Sequence, residues 1–173
     1  MPDETVGRAT VSVVIPVHNG MPHLPETLAS VLSQTRIPDE IVVFENGSTD
    51  GTAEWLAEHA PAVVRVVVQP TMVSAAANFT RAVQASTGDL VKLLCADDIL
   101  EPTAIEVQSS ALERHPGAVL AASQRTCPNH LTAVDLAAQA AETSIARNGR
   151  SPVVDYPTFR RHEHGRGIAL ERG

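Results

Sequence analysis

Five short runs rich in Val, Ile, Leu and Ala recur along residues 11–122: Val11–Val17, Glu40–Phe44, Val63–Val68, Leu90–Leu94 and Gly117–Ala122. Each gives way to polar or glycine-rich residues, after which apolar positions recur at helical spacing. Leu24, Leu28, Val31 and Leu32 mark a first helix over 24–34, and Ala53, Leu56 and Ala57 mark a short second one, with Asp50 as its N-cap. Ser74 caps a third helix running to Ala85, and the T-x-x-E spacing of Thr103 and Glu106 predicts a capping box opening a fourth that ends near Arg114. Runs this short and this apolar are strands buried on both faces. Their order, β-α-β-α-β-α-β-α-β, predicts an α/β fold with a Rossmann-like, mostly parallel sheet and helices on both faces.

The fourth run stops at two adjacent carboxylates, Asp97 and Asp98. Ligands of open α/β sheets collect beyond the carboxyl ends of the strands, which is where that pair falls. Neighbouring carboxylates repel unless a proton or cation relieves them, and oxygen ligands favour Mg²⁺ or Mn²⁺. A bland rival is an acidic turn in which one Asp caps the next helix.

Composition narrows the function. The net charge of −7 lacks the basic footprint that nucleic acid requires, so no nucleic-acid partner is expected. No apolar run reaches bilayer length and the acidic start is unlike a secretory signal, so the expected location is cytoplasmic. Cys95 and Cys127 are the only cysteines, too few for a disulfide framework or a zinc site. Neither G-x-G-x-x-G after the first strand nor a G-x-x-x-x-G-K-[ST] loop is present, which argues against dinucleotide and P-loop sites, and a G-x-S-x-G elbow is missing too. What remains is a set of polar or acidic strand ends, after runs one, two and four, converging on one edge of the sheet. Such an edge suits a metal-bound diphosphate.

Four blocks of this chain, in order, carry a family resemblance: the stretch from Val11 through Ile15-Pro16-Val17-His18-Asn19-Gly20, Ser30-Val31-Leu32-Ser33-Gln34-Thr35, Glu40 through Glu45-Asn46-Gly47-Ser48-Thr49-Asp50-Gly51-Thr52, and Gly88 through Cys95-Ala96-Asp97-Asp98 to Pro102. Together they resemble the family 2 glycosyltransferases of the GT-A fold over roughly residues 10–125. The resemblance implies transfer of a sugar from a nucleotide-diphosphate-sugar donor to an acceptor hydroxyl, with inversion and with help from a divalent metal, Mg or Mn. It places Pro16, Val17, Asn19, Glu45, Asn46, Asn78, Arg81 and Asp97 at the nucleotide sugar, and Asp97 and Asp98 at the metal. Glu45 stands where the family usually has Asp. His18 and His23 lie close enough in sequence to touch phosphate, although residues at a helix entry have that place for structural reasons alone.

Two departures qualify the expectation. Cys95 occupies the position where many members have the first Asp of D-x-D-D, which puts a soft thiol beside a hard-cation site. Beyond Arg125 the family pattern fades. Residues 1–9 read as an N-terminal extension, 10–125 as the nucleotide-sugar-binding domain, and 126–173 as an atypical Ala/Arg-rich tail, truncated relative to the family and partly helical or disordered, with 131–146 as its helix. Asp135 and Glu142 are the nearest acids for a catalytic base, and the catalytic residue stays unassigned. An alternative follows: a truncated, non-catalytic nucleotide-sugar-binding domain lacking the acceptor half and the base. Expected partners are the nucleotide-diphosphate sugar and a sugar or lipid-linked acceptor, with a homodimer or a peripheral membrane contact compatible with either reading.

Overall fold

The computed structural model describes residues 7–123, 144–148, 159–164 and 167–172. The elements in chain order are β1 (Val11–Val17), α1 (Leu24–Leu32), β2 (Glu40–Glu45), α2 (Thr52–His59), β3 (Val64–Val68), α3 (Ala75–Gln84), β4 (Leu90–Leu93), α4 (Ala104–Arg114), β5 (Ala118–Ala122), β6 (Ser144–Arg147), β7 (Phe159–His164) and β8 (Gly167–Arg172). They form one sheet in the order β3-β2-β1-β4-β6-β5-β8-β7. β1 lies at the centre of the parallel half, paired with β2 on one side and β4 on the other.

Period-two alternation sorts the side chains onto two faces. Val11, Val13, Ile15 and Val17 of β1 meet Ile41 and Val43 of β2 under α1, α2 and α4, through Leu24, Leu28, Val31, Leu56, Ile105 and Leu112. Val14, Val42, Phe44 and Val91 meet Ala82 of α3 on the opposite face. Helices therefore cover both faces, and every residue of β1 is buried. Each fully buried Val, Leu or Ile contributes about 1.5–3 kcal/mol, so these two layers hold the strand ends rigidly in register.

The far half of the sheet departs from expectation. β5 does not pair with β4, because β6 lies between them and is antiparallel to both. Residues 144–146, expected at the end of an Ala-rich helix, are strand. The reason lies in Ile145, which is β-branched, fully buried and aligned with Lys92 on one side and Ala121 on the other. Arg147 fixes the end of β6, since its Nε donates to the Ala118 carbonyl at 2.8 Å and its Nη2 to that of Leu112 at 2.7 Å. β8 then pairs antiparallel with β5, and β7 with β8, so parts of the tail read as helical or disordered extend the sheet. The remainder of the 131–146 helix, with Asp135 and Glu142, lies outside the described residues.

Two caps also differ. The N-cap of α2 is Gly51, at φ 91°, but Asp50 still does the capping from one residue earlier, accepting the Thr52 N–H at 3.1 Å and its hydroxyl at 2.6 Å. At α4 the capping box does not form. Glu106 accepts instead from the Thr35 hydroxyl at 2.6 Å, and the Ile105 N–H donates to Gln34 Oε1 at 3.1 Å. The Ser74 cap of α3 forms as expected, accepting from the Ala77 N–H. Among the described residues, no helix is long and apolar enough to cross a membrane.

Candidate nucleotide-sugar site

Three loops meet at the carboxyl ends of β1, β2 and β4. After β1 the chain turns through Asn19 at φ 54°, a conformation Asn tolerates better than most residues. The Asn19 N–H donates to Ser48 Oγ at 2.9 Å, and its Oδ1 accepts the Thr49 N–H at 2.8 Å. Gly20 and Met21 continue the seam by donating to Thr52 Oγ1 and Asp50 Oδ2, both at 2.9 Å. The β1–α1 and β2–α2 loops are thereby sewn together. Burial would raise the Asp50 pKa, but the Thr52 hydroxyl and the Met21 and Thr52 N–H groups outweigh it and hold the carboxyl below its usual value.

Glu45 is 1% exposed and faces its own loop, where it accepts the Gly47 and Ser48 N–H groups. Asn46 reaches the other way. Its Nδ2 donates to the Val73 carbonyl and its Oδ1 accepts the Val73 N–H, each at 2.9 Å, which pins the β3–α3 loop. His18 Nδ1 lies 3.1 Å from the Asn46 carbonyl. A carbonyl only accepts, so Nδ1 is the donor in this contact.

The acidic turn after β4 is held from α1. Thr27 Oγ1 donates to the Ala96 carbonyl at 3.0 Å, Ser30 Oγ accepts the Leu100 N–H at 3.1 Å, and Gln34 Nε2 donates to the Glu101 carbonyl at 2.7 Å. Thr27 and Ser30 lie on α1, and Gln34 follows just beyond its end. Ser30 and Gln34 explain the Ser30–Thr35 block, to which residue pattern alone assigns no physical role. Within the turn, one donor atom each from Cys95, Asp97 and Asp98 lies within 4.8 Å of the others. Lys92, 1% exposed on β4, is close enough for both Asp98 and Cys95 to act on its charge. Burial lowers its pKa to about 8 despite these two neighbours.

A cleft of about 500 Å³ opens between the loops, lined by Pro16, His18, Asn19, Gly20, His23, Asn46, the 72–75 segment, Asn78, Phe79, Cys95, Ala96 and Asp97. That volume is within the range of small-ligand sites. Of the residues expected at the nucleotide sugar, Pro16, Asn19, Asn46, Asn78 and Asp97 line it. Val17, Glu45 and Arg81 do not. Val17 belongs to the core, because one-residue alternation turns it to the opposite face from Pro16. Glu45 serves its loop, and Arg81 is exposed with Nη1 on Gln69 Oε1 at 2.7 Å. Asn78 and Arg81 lie three residues apart on α3, yet Asn78 is 3% exposed and its Oδ1 has no partner. Met72, Val73 and Phe79 give the cleft an apolar wall; Phe79 belongs to the apolar pattern of α3, whereas Met72 and Val73 lie in a loop, which carries no period.

The arrangement is the GT-A fold. Residues 12–168 match the family model described as Glycosyl transferase family 2, and the chain belongs to that family. The match runs beyond residue 125, where the motif resemblance fades. Among relatives, the chain is 31% identical over 108 residues to the putative glycosyltransferase EpsE of Bacillus subtilis, covering 61% of this chain and 39% of that one. It is 34% identical over 99 residues to chondroitin synthase of Escherichia coli, covering 56% of this chain and 14% of the other. It thus spans less than half the length of either relative. In three dimensions it is similar to the mannosyltransferase PcManGT of Pyrobaculum calidifontis in complex with GDP-Man and Mn²⁺, with a TM-score of 0.56 at 25% identity over 71% of this chain and 37% of that one. S. aureus TarS in complex with UDP-GlcNAc shares the fold at a TM-score of 0.64 and 17% identity, over 80% and 45% of the two chains.

Proposed function

We propose that the cleft binds a nucleotide-diphosphate sugar and that the protein transfers the sugar to an acceptor hydroxyl with inversion. The observation that carries this reading is Asn78: a buried carboxamide whose Oδ1 has no partner, on the wall of the cleft that Asp97 also lines. An orphaned buried acceptor costs roughly 1–3 kcal/mol unless a ligand satisfies it. A nucleobase offers the N–H that would do so once the carboxamide turns toward the cleft.

The remaining groups suit the rest of such a donor. The wall of Met72, Val73 and Phe79 accommodates the base, and the sewn loops around Asn19 fix the position of the diphosphate. Cys95, Asp97 and Asp98 fit a divalent cation, because ligand atoms within 4.8 Å of one another can all reach one ion after a small movement. When bound there, such a cation offsets negative charge growing on the leaving diphosphate. The acceptor oxygen forms its bond to the anomeric carbon as the bond to the phosphate oxygen breaks on the opposite face, and the hydroxyl proton passes to a base. We assign that base to no described residue.

Calorimetry with UDP, GDP and dTDP, with and without Mn²⁺, tests the binding half. One nucleotide should bind in a cation-dependent way, and Asp97→Ala should weaken it by on the order of a hundredfold. Absence of binding by all three defeats the reading. Release or transfer of sugar from the matching donor distinguishes a transferase from a non-catalytic binding domain.

A further inference from the structure

The cation site carries a feature of its own. Cys95 contributes a sulfur to a set that otherwise holds carboxylate oxygens, and its Sγ and the Asp97 and Asp98 oxygens all lie within 4.8 Å of one another. A thiolate is a soft ligand. It favours Zn²⁺, Cd²⁺ and Co²⁺ over Mg²⁺, which prefers an all-oxygen octahedron and sheds water reluctantly.

Three observations place this sulfur in a working site. Cys95 and Asp97 both line the cleft, so an ion between them is open to a ligand there. Asn78, buried and with an unpartnered Oδ1, lines the same cleft. The turn bearing the three donors is clamped by Thr27, Ser30 and Gln34, so the donors are held in place before an ion arrives.

We infer that Cys95 is a direct ligand of the divalent cation and that it turns this site toward thiophilic metals, with Mn²⁺ next and Mg²⁺ last. The metal–sulfur bond forms as the thiol proton passes to solvent, and no change of oxidation state is involved. The inference takes its location from the proposed nucleotide-sugar site, but its chemistry is tested separately.

The full chain carrying Cys127→Ser, in which Cys95 is the remaining thiol, is titrated with CoCl₂ in the presence of UDP. The expected result is a thiolate-to-cobalt charge-transfer band in the near ultraviolet that vanishes in the further Cys95→Ser variant. Competition should show Cd²⁺ binding on the order of a hundredfold tighter than Mg²⁺, with the gap closing to about tenfold or less in Cys95→Asp, whose ligands are all oxygens. Circular dichroism confirms that each variant is folded. A missing band at saturating cobalt, or a band unchanged by Cys95→Ser, overturns the inference. UDP binding that Mg²⁺ supports equally well with and without the thiol overturns it too, and leaves the nucleotide reading standing. A cobalt–thiolate band in a protein that binds no nucleotide upholds the cation site and removes the nucleotide reading instead.

Discussion

The two ends of the parallel strands use the same residue types for opposite purposes. At the amino ends, carboxylates are spent on the protein. Glu40 accepts from the Ser12 hydroxyl, the Thr87 N–H and Arg65, Asp89 accepts from the N–H and hydroxyl of Thr10, and Asp39 accepts the Val11 N–H. Asn148 closes this rim through the Gly88 carbonyl. At the carboxyl ends, Asp97 faces a cleft and Asn78 lacks a partner for its Oδ1. Polar residues do not by themselves mark a site. What distinguishes the carboxyl rim is that an exposed carboxylate and an unpartnered carboxamide oxygen belong to residues lining one cleft.

The contrast is broken most strongly at Gly88. A Cβ there would sit 2.7 Å from Ser12 Oγ and 2.8 Å from the Ser12 nitrogen, both inside the closed rim. Gly88→Ala should lower stability by about 3 kcal/mol, seen as an earlier urea midpoint, with nucleotide affinity per folded molecule unchanged. A loss of affinity with unaltered stability would show that the two rims are not independent.

A change at Asn78 should do the reverse. Asn78→Leu removes an orphaned polar group, so stability should hold or rise while nucleotide affinity drops about tenfold. Arg81→Ala, three residues along the same helix but directed at Gln69, should leave affinity within about twofold. Calorimetry on both variants checks the pair, and equal losses would place Arg81 at the ligand after all.

The smallest effect is on pH. Burial would raise the Glu40 pKa, yet the Ser12, Arg65 and Thr87 hydrogen bonds and the Arg65 charge together lower it. Asp89 is lowered mainly by the Thr10 N–H and then by its hydroxyl. Both folded pKa values thus lie below the unfolded ones. The stabilisation is present above the unfolded values and is lost as pH falls through the folded ones, below about pH 4. Melting temperature should decline over that window, and Asp89→Asn should flatten part of the decline.

Much of this was legible in the chain. The short apolar runs located β1 to β5 to within a residue or two at each end, because each is bounded by polar or glycine-rich residues that end the strand. The acids after β4 and the Asn after β1 were legible as rim residues for the same reason. Val17, Glu45 and Arg81, expected at the nucleotide sugar, do not line the cleft, since sequence position shows which strand end or helix bears a side chain but not what it finally faces.

The amino-acid sequence by itself determined the alternation of strands and helices, the family, and the presence of a thiol among the acids. Tertiary structure alone decided that Ile145 carries β6 between β4 and β5, that Thr27, Ser30 and Gln34 hold the acidic turn, and that Asn78 is buried without a partner for its Oδ1. The physical reason is range. Periodicity and turn chemistry are set by neighbours along the chain, whereas whether a polar atom is satisfied depends on residues about 70 positions away, as Thr27 and Ala96 show.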